Sequence, residues 1–87
     1  MAIRDLAGLG PKSEQMLAAI GIETVESFMA ADAFELYLQL RAQQPGLSLN
    51  MLYAMLGAQQ NRPWQEVARE DKTAILMRLD DLNAAPR

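Results

Sequence analysis

Eighty-seven residues, 51% of them hydrophobic and with a net charge of −3, are enough for one small domain, 1–87, with a modest core. The chain has neither cysteine nor histidine, which excludes disulfides, thiolate metal sites and the usual histidine-based catalytic pairs. No apolar run approaches the ~18–20 residues that cross a bilayer, and the mixed segment holding Arg4 and Asp5 is not a secretory signal, so the expected compartment is a reducing cytoplasm.

Apolar residues recur at helical spacing in every long segment, and no stretch alternates at period two for long. The first helix is predicted from Pro11 to about Ile20, with Ser13, Met16, Leu17 and Ile20 on one face. Gly21 stands where a helix ends in a left-handed residue. Thr24 caps a second short helix, Val25 to Ala30, whose Val25, Phe28 and Met29 are expected to point inward. Asp32, with Glu35 three residues on, has the pattern of a capping box for a third helix. Phe34, Tyr37 and Leu38 form the apolar face of that helix, with Leu36 and Leu40 on a neighbouring row, and Pro45-Gly46 ends it.

Ser48 caps a fourth helix that reaches about Gln60. Leu49, Leu52, Tyr53 and Leu56 give it a core stripe at i, i+3, i+4 and i+7. Pro63 and Trp64 begin a short helical turn, and Trp64 is expected to plug the gap between helices with its N–H on a carbonyl. A last helix starts near Glu70 and buries Ile75, Leu76, Leu79 and Leu82, leaving a frayed tail at 84–87. Five helices with short connections imply an all-α, compact orthogonal bundle.

The segment Gly8-Leu9-Gly10-Pro11-Lys12-Ser13 bears most on function. Glycine permits backbone angles that a side chain forbids, and proline suits the first helical position. The N–H groups of Lys12 and Ser13 then stand unbonded at a helix N-terminus beside a lysine charge, which suits a phosphate. Gly8, Gly10, Lys12 and Ser13 are therefore the candidate DNA-phosphate site. The other reading is a tight turn that merely feeds the first helix into the core. Residues 1–40 hold two basic and six acidic side chains, a net −4, while residues 41–87 come to +1. The hairpin thus lies in the acidic half, without the basic stripe of an autonomous DNA binder, and Glu14 in the same first turn competes with an anion.

Met51 and Met55 form the second candidate site. They sit together at i, i+4 on a face of the fourth helix away from its leucines. A helix apolar on two faces is either central in its bundle or covered by a partner, and methionine adapts to irregular partners. Ala54, Gly57 and Ala58 on the same helix suit a close helix approach. Asp80-Asp81 and the Glu66/Glu70 pair read as solvated surface, since neighbours on a helix point apart. No metal, cofactor or small-molecule substrate is expected, and no dinucleotide fingerprint or P-loop occurs.

Two blocks carry a family resemblance. One runs Ile3-Arg4-Asp5-Leu6-Ala7-Gly8-Leu9-Gly10-Pro11-Lys12-Ser13-Glu14 and on through Ala19-Ile20-Gly21-Ile22. The other is Ser48-Leu49-Asn50-Met51-Leu52-Tyr53-Ala54-Met55-Leu56-Gly57-Ala58, followed by Trp64. With both blocks at this separation, residues 3 to about 82 resemble the C-terminal domain of the TfoX/Sxy competence-regulator family of bacteria. The resemblance implies a helical domain of the helix-hairpin-helix or SAM-like kind. In that family the domain often follows an N-terminal one, and some members regulate natural DNA uptake as transcriptional coactivators. A stand-alone copy of the domain is the expectation here.

Two functions stay open on the sequence. One is a weak, sequence-independent contact with the DNA backbone through the hairpin, in support of transcription regulation. The other is a non-enzymatic protein-interaction or self-association module using Met51 and Met55, with a purely structural hairpin.

Overall fold

Local chemistry sets the helix boundaries in the computed structural model, which describes residues 1–82. A 3₁₀ turn at Ile3–Asp5 is held by the Asp5 carboxylate, which accepts the Ala2 N–H at 3.0 Å. The chain reverses at Gly8 and enters α1, Pro11–Ala19, with Pro11 at its first position. The end of α1 is a Schellman motif. The Ile22 N–H reaches the Leu17 carbonyl at 2.9 Å and the Gly21 N–H reaches Ala18 at 3.0 Å, with Gly21 at φ +88°. The Thr24 side chain caps α2, Val25–Ala30, by accepting the Ser27 N–H at 3.0 Å. Asp32 caps α3, Ala33–Gln43, through the Phe34 N–H at 2.8 Å. Ser48 caps α4, Leu49–Gln60, through the Asn50 N–H at 3.0 Å.

The short turn expected at Pro63 and Trp64 is a full helix, α5, Trp64–Glu70. The final helix, α6, spans Lys72–Asp81. The described part therefore holds six α-helices and no strand. Asp71 alone separates the last two, closing α5 through its N–H to Val67 and opening α6 through its carbonyl to Ile75, both at 2.9 Å. The Arg62 guanidinium, 2.8 Å away, pairs with its carboxylate.

The middle of α4 organises the core. Seven consecutive residues, Leu52 through Ala58, are buried, so this helix is covered on every side. Around it lie Ile3, Leu17, Phe28, Tyr37, Val67 and Leu79, all essentially inaccessible. Gly57 allows the tightest approach. A Cβ there would lie 2.6 Å from the Arg62 carbonyl oxygen and 3.3 Å from the Trp64 backbone, so α5 folds back onto α4 across bare backbone. The close helix approach expected at Gly57 is present for this reason.

Three expectations about faces change. In α3 the buried row is Leu36, Tyr37 and Leu40, while Phe34 and Leu38 are half-buried at its edge. Met29 and Leu82, expected inside, are exposed. Each sits at or beside the last residue of its helix, where few neighbouring elements remain to cover it. The tail at 84–87 lies outside the described residues.

One tether crosses the fold without a sequence signature. The Gln59 amide donates to the carbonyls of Phe28 at 2.9 Å and Ala31 at 2.8 Å. It supplies a donor to the Ala31 carbonyl and a second donor to that of Phe28, which also accepts the Ala31 N–H at 3.2 Å, and ties the C-terminal end of α2 to α4.

Candidate functional site

Gly8 and Gly10 have different roles in the hairpin. Gly8 adopts φ +84°, a left-handed angle that favours glycine. Its bare face lies against α4 and α5, where a Cβ would stand 3.6 Å from the Trp64 indole and 3.8 Å from the Ala54 methyl. Gly10 is extended, with φ −133°, and a Cβ there would meet open space. The hairpin is thus a packed turn at Gly8 and an open helix cap at Gly10. Leu9, between them, is buried.

Glu14 does not stand over the helix end. Its carboxylate accepts three hydrogen bonds from Arg4: the backbone N–H at 3.1 Å, Nε at 3.0 Å and a terminal guanidinium nitrogen at 2.7 Å. These bonds latch the 3₁₀ turn to the first turn of α1. The Arg4 side-chain bond, followed by its backbone bond, holds the Glu14 carboxyl below its ordinary pKa. The same contact raises Arg4 further. The charges of Arg4 and Glu14, which flank the hairpin in sequence, therefore neutralise each other.

Lys12 is exposed and takes part in no ion pair among the described residues. Ser13 turns the other way. It is half-buried, and its hydroxyl donates to the Met51 sulfur at 3.7 Å. Met55 is fully buried in the core, so the two methionines do not form an exposed stripe. Met51 alone reaches the surface, and it does so beside Ser13. Gly8, Lys12, Ser13 and Met51, offered as parts of two separate sites, thus share one location, with Gly10 and Met55 outside it.

That location is a groove of about 510 Å³ between the hairpin, α1 and the N-terminal part of α4. Its apolar floor is Met16, Leu47, Met51, Ala54 and Trp64. Lys12 is the one charged residue in its lining, and Gln44, Ser48 and Asn50 form a neutral polar rim. Trp64 departs from expectation. Its indole N–H bonds to no carbonyl among the described residues and is open to solvent. It also lines a second depression of about 450 Å³ with Ala7, Asn61 and Arg62. Pairing Met16 and Leu47 with Met51 requires knowing that α1 and the loop before α4 meet, which no local pattern signals.

The remaining surface is less distinctive. A third depression, of about 510 Å³, mixes Asp32 and Asp71 with Arg78. Arg78 is already occupied, 3.8 Å from the Asp32 carboxylate and 5.6 Å above the Phe34 ring. Glu66 and Glu70 face Arg62 and Arg69, and no cluster fit for a metal ion occurs among the described residues. No described helix is long and apolar enough to cross a membrane.

The TfoX C-terminal domain family has a model that matches residues 1–79. The structure resembles that of an uncharacterised protein from Listeria monocytogenes, with a TM-score of 0.83 over 100% of this chain and 99% of that one. At 22% identity this likeness establishes a shared helical fold. A comparison with curated proteins finds no match.

Proposed function

We propose that this chain, which belongs to the TfoX C-terminal domain family, acts as a regulatory module that binds a protein segment in the groove between its hairpin and α4. The family is one of regulatory domains rather than of enzymes. The proposed setting is the control of DNA uptake genes in the bacterial cytoplasm.

One observation carries this reading. Ser13, Met16, Met51 and Trp64 converge on a single concave, largely apolar surface. Concave sites with a few polar groups are the usual form of a binding site. Methionine side chains adapt to varied partners, and a half-exposed tryptophan is a common anchor.

A backbone contact with DNA is the second reading, favoured by the open space at Gly10 beside exposed Lys12. Its chemistry is thin. Arg4 is committed to Glu14 and the Ser13 hydroxyl to Met51. That leaves one lysine, and affinity for DNA scales with the phosphates neutralised.

A photo-crosslinking residue at Gln44, exposed on the groove rim, tests the proposal in cells. Protein adducts from position 44, absent from a control at exposed Asp80 and lost with Asn50→Trp across the groove, are expected. Adducts with nucleic acid alone, or none that depend on the groove, contradict it.

A further inference from the structure

We infer that the groove takes an acidic peptide segment carrying an apolar anchor, a partner class that rests on the protein-binding reading above. Charge complementarity favours such a segment. The chain carries eleven acidic against eight basic residues, yet the groove is lined by one lysine and no carboxylate. The comparable depression beside α6 contains Asp32 and Asp71. Glu14, the acidic residue in the first turn of α1, is absent from the groove lining because Arg4 holds it at the 3₁₀ turn. Lys12 is left with no carboxylate among the described residues to answer it.

Each part of such a segment has a counterpart. A carboxylate meets the Lys12 ammonium at the rim. A leucine or phenylalanine side chain rests on Met16 and Met51, whose thioethers conform to either shape. A main-chain carbonyl accepts the solvent-open indole N–H of Trp64. A basic segment would leave Lys12 facing like charge, so the groove discriminates by sign as well as by fit.

The experiment is a selection of randomised twelve-residue peptides on phage against the full chain, with counter-selection on Asn50→Trp. Asn50 is an exposed rim residue, and its helix-capping bond uses the backbone. The substitution therefore fills the groove without touching the core, which circular dichroism verifies. Groove-dependent peptides are expected to carry aspartate or glutamate beside an apolar residue. Lys12→Gln should weaken them about three- to five-fold, the scale of an exposed ion pair, and Lys12→Glu more. Groove-dependent peptides that are neutral or basic overturn the acidic assignment and leave the groove reading standing. Absence of any groove-dependent peptide overturns both. A dimer in sedimentation that Asn50→Trp abolishes assigns the groove to a second copy and overturns the peptide assignment, as does displacement of selected peptides by a generic DNA duplex.

Discussion

The Ser13 hydroxyl donates to the Met51 sulfur across 3.7 Å, joining α1 to α4 at the floor of the groove. The residue suited by sequence to a phosphate is thereby turned toward an apolar surface. Met51, suited by sequence to a partner, becomes part of the same surface. A second commitment acts nearby, where Arg4 is spent on Glu14 at 2.7 Å. Together they remove two of the groups that an anion site at this hairpin would draw on.

The two hairpin glycines should respond oppositely to serine. Gly8→Ser places a side chain at φ +84° and should cost about 1–2 kcal/mol. Gly10→Ser puts a preferred capping residue in extended backbone and open space, and should be neutral or stabilising by a few tenths of a kcal/mol. Urea denaturation of both variants measures this. Equal losses would contradict a left-handed Gly8 beside an extended, open Gly10.

Gly57→Ala tests the contact between α4 and α5. Alanine brings about 1 kcal/mol of helix propensity, but its methyl would sit 2.6 Å from a backbone carbonyl. A net loss of about 1–3 kcal/mol, in the overpacking range, is expected in chemical denaturation. A variant as stable as the parent would show that α5 can shift freely.

The fold was legible in the sequence where single side chains meet the adjacent backbone. Thr24, Asp32 and Ser48 cap the helices expected of them, and Gly21 ends α1. These signals act over two or three residues and need no tertiary context. The start of the last helix near Glu70 was legible, but the full length of α5 was not, because no glycine or proline marks its end and it shares Asp71 with α6. Burial on α3 was legible as a pattern but not as a choice between rows, which depends on where α4 lies. The groove was the least visible, since Ser13 and Met51 stand 38 positions apart. Nor could spacing foretell that Arg4 would take up Glu14.

Gln59 is expected to be more than a surface amide. Gln59→Leu removes the side-chain donor to the Ala31 carbonyl and leaves the Phe28 carbonyl with only the Ala31 N–H at 3.2 Å, and should destabilise the chain by about 1–3 kcal/mol. Gln59→Glu, which replaces the donor with an acceptor, should be at least as damaging. Thermal melts of the two variants suffice, and an unchanged melting temperature for both would remove the tether from the account.

The Arg4–Glu14 latch gives the acid limb of stability a definite sign. The folded Glu14 pKa is lowered, so its contribution is complete above the unfolded value of about 4.3 and is lost as pH falls through the folded value. Glu14→Gln should flatten the decline in melting temperature below about pH 4.3 relative to the parent. Identical acid limbs would show that the latch does not contribute.

The most direct test of the central claim is anisotropy of a labelled generic duplex, titrated with the parent and with Lys12→Glu at low and near-physiological salt. Low salt screens charge least and gives a phosphate site its best chance. The account predicts no saturable binding that depends on Lys12 in either condition. Salt-sensitive binding that Lys12→Glu abolishes would contradict it and establish the hairpin as a DNA-backbone site.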